Sequence, residues 1–227
     1  MSQLGVPGVG SSEAPHERFA AEPLAPEPGR NEMSSTLWSE WQDQLCRVGD
    51  RIIVTGELDR GDDDNARRQL DAWVEAGVTT IVDVRAEADD RAFVARHASD
   101  IRYVWAGVDD HGGTQAGAWF DTVLAELGDA IEDPAETILV HCQMGVNRGP
   151  SMAYRILLEQ GWGVLDALKA IRKARPIAEI IYADSAVRHF HDSGRTADAE
   201  RVAREIRAVE LWLEVTGRGD AEDWSSN

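Results

Sequence analysis

Lysine is nearly missing from this chain: Lys169 and Lys173 are its only two among 227 residues. With arginine included, 23 basic side chains face 41 acidic ones, a formal net charge of −18. Gripping nucleic acid or an anionic membrane requires clustered cations, so neither partner is expected. The acidic surplus reads as a solvated surface. Cysteine is equally scarce. Cys46 and Cys142 cannot build a disulfide framework, and no four-ligand Cys/His spacing suggests zinc, so no metal or other cofactor is expected. No run approaches the ~18 apolar residues of a membrane helix. The N-terminus lacks the basic region and apolar stretch of a secretory signal, and a cytoplasmic location is the resulting expectation. Hydrophobic residues make up 43% of the chain, enough for one core domain of ~150 residues with extensions.

Three segments are expected. Residues 1–35 carry Pro7, Pro15, Pro23, Pro26 and Pro28 among Gly, Ser and Glu without apolar periodicity, and read as a disordered tail. Residues 36–194 read as the folded domain. Leu37, Trp38, Trp41 and Leu45 open it, spaced as one face of a short helix over 36–49. Strand signals at 51–55, 79–84, 101–105 and 137–140 then alternate with helical patterns at 66–74, 116–131, 152–159, 164–174 and 180–190. That alternation predicts an α/β fold, a central mostly parallel sheet flanked by helices on both faces. Residues 195–227 hold an amphipathic helix with Ala203, Ile206, Val209 and Leu213 on its apolar stripe, followed by a short tail.

The chemistry concentrates at Val140-His-Cys-Gln-Met-Gly-Val-Asn-Arg-Gly-Pro-Ser151. A buried strand ends, a cysteine comes at once, and an arginine appears after five residues as a helix begins. Backbone N–H groups of such a loop converge with a helix start and its partial positive charge, forming an anion cradle from Gln143, Met144, Gly145, Val146, Asn147 and Arg148. Arg148 offers two parallel N–H donors to two oxygens of a phosphoryl group. Cys142, at the mouth of the cradle, is the candidate nucleophile, because a helix start favours the thiolate form.

The stretch His141-Cys142-Gln143-Met144-Gly145-Val146-Asn147-Arg148 resembles the signature of the cysteine-dependent protein tyrosine phosphatase superfamily, most closely its compact dual-specificity branch. Arg51–Gly56, Ala76–Arg85 and Ile171-Arg-Lys-Ala-Arg-Pro176 extend the resemblance across about residues 50–192. The resemblance implies a compact dual-specificity-phosphatase-like fold and hydrolysis of phosphotyrosine, with phosphoserine and phosphothreonine as further substrates, through a phosphocysteine intermediate. It implies a general acid on a loop roughly thirty residues before the cysteine. Asp110, 32 residues upstream and followed by Trp119-Phe120, fits that register better than Asp109. It also implies a supporting role for His141, whose ring hydrogen bonds would fix the loop. The family usually has Ser or Thr directly after the arginine, assisting breakdown of the intermediate. Here Gly149 and Pro150 take that place, so slow breakdown is expected unless Ser151 reaches the site.

Asp83 and Arg85 are expected to brace one another, and His189 and His191 to be structural. A redox partnership between Cys46 and Cys142 has no support in spacing. The five residues between Cys142 and Arg148 include no base, unlike relatives that act on phosphoinositides, so a phosphorylated protein or small phosphomonoester is the expected partner. Two other readings stay open at this point: a non-catalytic phosphate-binding module, to which Gly149 gives room, and a rhodanese-type sulfurtransferase, which also uses a cysteine in an anion-binding loop.

Overall fold

The computed structural model describes residues 40–195 and 198–216; the expected tail over 1–35 and the chain beyond Thr216 lie outside the described residues. Five strands form one sheet in the order β1-β2-β5-β3-β4: β1 (Cys46–Val48), β2 (Ile52–Thr55), β3 (Thr80–Arg85), β4 (Arg102–Val108) and β5 (Ile138–His141). All neighbouring pairs are parallel except β1 with β2. The helix expected over 36–49 is therefore corrected in its second half. Cys46 and Val48 point inward while Arg47 is exposed, a period of two rather than 3.6, and the Gly49–Arg51 turn folds them back onto β2 as a hairpin. Residues 40–42 are helical, and the expectation for residues 36–39 lies outside the described residues.

Seven helices are described. On one face lie α1 (Asp63–Glu75) and α2 (Arg91–His97), the latter not expected from the sequence because its short apolar pattern holds only Val94 inside. Asp62 caps α1, its carboxylate accepting the N–H groups of Asp64 and Asn65 at 3.0 Å each. Leu70, Trp73 and Val94 close over Ile53, Ile81 and Leu139. On the other face lie α3 (Gly117–Leu127), α4 (Arg148–Glu159), α5 (Val164–Ala174), α6 (Ala183–Phe190) and α7 (Ala199–Thr216). Residues 148–158 of α4 are all buried, so this helix is the spine of the larger core. The amphipathic helix expected near the C-terminus is α7. It buries Val209 and sets Trp212 against the Arg172 guanidinium, 5.2 Å from the ring centre. No helix among the described residues is long and apolar enough to cross a membrane.

The sheet register sets the C-terminal end of β5 between two partners, since His141 pairs with Thr55 of β2 and Asp83 of β3. Beside it sits a buried ionic network centred on Arg85. Its guanidinium donates to Asp83 (2.9 and 2.6 Å), Glu57 (2.6 Å) and Asp90 (2.5 Å), and Tyr103 donates to Asp83 at 2.6 Å. The brace expected of Asp83 and Arg85 is thus one part of a larger assembly. Burial opposes the charge on Asp83, yet the Arg85 guanidinium and the Tyr103 hydroxyl help hold its carboxyl below the ordinary value. Burial likewise works against the charge on Arg85, and its carboxylate partners more than compensate, raising it well above the usual arginine range.

Removing the cation would leave Asp83 and Asp90 without their guanidinium in or near the core, while Glu57 keeps Arg60 at 3.2 Å. Arg85→Met is expected to destabilise the fold by ~3–5 kcal/mol. Urea unfolding followed by circular dichroism measures this; a loss below about 1 kcal/mol would mean the network is not structural.

Candidate active site

Parallel sheets present ligand sites at the carboxyl ends of their strands, and the loop after β5 lies there. The carbonyls of this loop are all turned outward and satisfied. Gln143 C=O accepts from the Glu57 N–H (3.0 Å), Val146 C=O from the Glu179 N–H (2.8 Å), and Asn147 C=O from the Ser151 N–H (2.8 Å). Arg175 serves the two between, donating from Nη2 to Met144 C=O (2.8 Å) and from Nε to Gly145 C=O (2.6 Å). In a trans peptide the C=O and the following N–H point in opposite directions. Five outward carbonyls therefore turn the N–H groups of residues 144–148 inward, and among the described residues none of these has a protein acceptor. The result is a ring of donors at the start of α4, the arrangement that binds an oxyanion.

One glycine is required by the ring, and a second packs tightly beside it. Gly145 adopts φ +63°, and a Cβ there would lie 2.5 Å from the Thr55 carbonyl and 2.6 Å from Arg175 Nη2, so no side chain fits. Gly149 packs its Cα against the strand end: a Cβ would meet Cys142 N and His141 C at 3.2 Å each. The start of α4 thus packs closely against the backbone of His141 and Cys142.

The structure brings Cys142, Gln143, Met144, Val146, Asn147, Arg148 and Asp110 to one cleft of about 280 Å³. Gly145 lies in the same loop, its carbonyl on Arg175. Arg148 is 4% exposed and its orientation is fixed at one edge: Nη1 and Nη2 each donate to a Glu87 carboxylate oxygen at 2.7 Å, and Nη1 also reaches Val108 C=O at 3.1 Å. Nε has no hydrogen-bond acceptor and sits 3.5 Å from Asp110 Oδ2. The planar guanidinium thus keeps a second two-donor edge, Nε with the outer Nη2 hydrogen, for two oxygens of a bound anion. Burial opposes the charge on Arg148, while Glu87, Cys142 and Asp110 more than offset it and raise the group above its ordinary value.

Asp110 is held over the loop from two sides. Its Oδ1 accepts from Asn147 Nδ2 at 2.7 Å and from the Tyr182 hydroxyl at 2.8 Å. Tyr182 also accepts the Gly112 N–H at 3.1 Å, so one buried phenol organises the whole loop. Burial, then the Asp110 carboxylate, raise the Tyr182 hydroxyl above its ordinary value and keep it a donor. Asp109 contributes its backbone carbonyl to Gln115, not its carboxylate to the cleft.

Two supporting residues behave differently from expectation. His141 is fully buried with neither ring nitrogen in a hydrogen bond; its ring lies 5.4 Å from that of Trp73, and Nε2 is 3.8 Å from Asp83 Oδ2. Desolvation outweighs the nearby Asp83 carboxylate and lowers its basicity, so a neutral ring fills space at the strand end. Ser151 does not serve Cys142. Its hydroxyl donates to Asn147 Oδ1 (3.3 Å) and accepts the Tyr182 N–H (3.2 Å), one turn into α4. Cys46 lies on β1 with its sulfur 3.4 Å from Arg175 Nη1. His191 faces Glu205 at 3.1 Å and His189 bridges Arg155 and Asp121, both away from the cleft. Asp83, Asp90 and His141 lie near enough to share a cation, but Arg85 already donates to both carboxylates, which makes the cluster unfit for a metal.

Sequence reasoning missed Glu87, Arg175 and Tyr182. Arg175 stood within Ile171–Pro176, a pattern that marks a helix end without saying what the arginine touches. Glu87 had no signal among 41 acids.

Residues 64–183 match the family described as dual specificity phosphatase, catalytic domain. No curated protein matches the sequence. Among solved structures, human DUSP28 is similar at a TM-score of 0.52 with 18% identity, covering 66% of this chain and 98% of that one. Tk-PTP in its active form is similar at 0.51 with 15% identity, covering 65% and 96%. At these identities the likeness is one of fold.

Arg175→Met would strip two loop carbonyls of their donors, each worth ~1–3 kcal/mol when buried unsatisfied. Vanadate affinity measured by calorimetry is expected to fall at least about tenfold, with Arg175→Lys recovering part of it. The Arg148 hydrogen bonds, together with the partly opposing effect of burial, lower the Glu87 carboxyl to about 2. The stability this pair contributes is therefore complete above about pH 4.5, Glu87's ordinary value, and disappears as pH falls through about 2. The unfolding difference between wild type and Glu87→Gln, followed against pH, checks that window.

Proposed function

The chain belongs to the dual specificity phosphatase family, and from that premise we propose that it hydrolyses phosphotyrosine monoesters, with phosphoserine and phosphothreonine as further substrates, through a phosphocysteine intermediate. The observation that carries this reading is the convergence on one cleft of a cysteine, a ring of inward N–H groups with a pre-oriented arginine, and a braced aspartate. A binding module needs only the ring and the arginine. The aspartate and the cysteine add what bond cleavage requires.

In the proposed reaction the substrate phosphoryl oxygens sit on the N–H groups of residues 144–148 and the free edge of Arg148. The Cys142 thiolate attacks phosphorus; the P–O bond to the leaving group breaks, and Asp110 gives its proton to that oxygen. With Oδ1 occupied by Asn147 and Tyr182, Oδ2 is the oxygen that carries this proton. The ring of donors stabilises the equatorial oxygens as charge develops, with no reorganisation at the moment of reaction. In the second step Asp110, now a carboxylate, takes a proton from water as the water oxygen attacks phosphorus. The P–S bond breaks, phosphate leaves and the thiolate returns.

Gly149 supplies no hydroxyl to this second step, and Ser151 is committed to Asn147 and Tyr182. Breakdown of the intermediate is accordingly slow relative to its formation. The absence of any base between Cys142 and Arg148 supports a single phosphoryl group over a multiply phosphorylated lipid.

With p-nitrophenyl phosphate under reducing conditions, wild type is expected to show a burst of nitrophenol and then slower turnover, and acid quench to trap a phosphoenzyme. Cys142→Ser abolishes both. Asp110→Asn lowers kcat by roughly 10²–10⁴. A wild type that binds vanadate yet releases no phosphate would instead support the binding-module reading, and thiocyanate formation from thiosulfate and cyanide the sulfurtransferase one.

A further inference from the structure

A second groove of about 370 Å³ adjoins the cleft at Cys142, with Ile181 on the wall of both. This groove lies between Gly112–Thr114 of the loop beyond Asp110, Asp184 of α6, and Glu210, Leu213 and Glu214 of α7. Its α7 wall and Asp184 come from residues beyond position 183, where the family match ends.

The walls are acidic. Among the described residues no lysine or arginine lines the groove, and Arg148 is the one base lining the cleft. Glu179 lines the cleft with no ion pair among the described residues, and it interacts electrostatically with Arg172. Asp184 accepts the N–H and hydroxyl of Ser185. Glu210 is shared between Arg188 and Arg207, and Glu214 lies 3.4 Å from Arg207. These arginines sit outside the lining.

The N–H ring and Arg148 fix one end of a ligand by its phosphoryl group. Residues flanking the phosphorylated one then pass Glu179 and Ile181 into the groove. Because Ile180 is buried with φ +55°, a left-handed conformation rare for a β-branched residue, and the N–H groups of 179 and 180 are tied to Val146 C=O, Glu179 is held against the loop rather than left to swing away. A doubly negative phosphoryl group must also approach a chain of net charge −18. Positive flanking residues reverse that repulsion and meet complementary walls.

We propose that the groove receives cationic side chains beside the phosphorylated residue, so that the preferred substrate is a phosphopeptide segment carrying Arg or Lys adjacent to its phosphotyrosine. The proposal names the substrate class of the phosphatase reading above and rests on it.

The test is fluorescence anisotropy on the full chain carrying Cys142→Ser, with two labelled phosphotyrosyl peptides of equal length, one flanked by arginines and one by aspartates. The arginine peptide is expected to bind at least about tenfold more tightly at low salt, with the ratio shrinking as salt rises. Glu179→Lys and, separately, Glu214→Lys are each expected to cut the preference several-fold; both positions are solvent-accessible, and circular dichroism verifies their folding. Equal affinities, a preference for the aspartate peptide, no binding of either, or a preference unmoved by both substitutions would overturn the proposal. Wild type that hydrolyses neither peptide nor p-nitrophenyl phosphate would sink the phosphatase reading, while the order of binding still decides this one.

Discussion

The orientation of five peptide planes governs this site. A loop of residues 143–147 that turned its carbonyls inward would repel any phosphate, whatever side chains surrounded it. Here Glu57, Arg175, Glu179 and Ser151 each draw carbonyls outward, from the turn after β2, from the end of α5, from the segment before α6 and from α4 itself. The cradle is a by-product of where those four groups stand. Gly145 then supplies the clearance against Thr55 and Arg175, and Gly149 packs close to the His141–Cys142 backbone.

Around that loop, charge is arranged in two tiers that do different work. The Arg85 network is buried and closed: three carboxylates converge on one guanidinium and a tyrosine hydroxyl joins through Asp83, tying β3 to the turn after β2 and to the start of α2. The Arg148 tier is half open. Glu87 and Val108 take one edge of the guanidinium and set its plane, and the other edge faces the cleft with Asp110 beside it. A fully satisfied arginine would be a structural residue, and an unrestrained one would spend binding energy on being ordered. The α7 helix, beyond the matched family residues, sets Glu210 and Glu214 on the wall of the groove beside the cleft.

The fold class was legible because strand and helix periodicities alternate cleanly from Ile52 onward, and that order leads to the parallel sheet with helices on both faces. The N-terminal helix failed in its second half for a local reason. Trp41 and Leu45 keep a helical spacing, but Cys46-Arg47-Val48 alternates, and a Gly-Asp turn lets it pair with β2. The short α2 escaped notice since a seven-residue helix with one buried side chain carries almost no periodic signal. Within the site, the cysteine-to-arginine loop could be read from order along the chain, and Asp110 only from its register in the family resemblance. Glu87, Arg175 and Tyr182 could not, because they reach the loop from 61, 30 and 72 residues away from Arg148, Gly145 and Asp110.

By itself, the sequence determined the chemistry on offer: a cysteine at a strand end, an arginine at the next helix start and a glycine in the loop between them, with the upstream acid implied by the family resemblance. Those are local facts, set by residue type and spacing. Only the tertiary structure decided how each group is held. It left His141 without ring hydrogen bonds, turned the Ser151 hydroxyl to Asn147, clamped Arg148 by Glu87, and put an acidic groove between the Asp110 loop and α7. Such outcomes depend on which distant elements pack together, and packing is set by the shape of the whole core rather than by any stretch of chain.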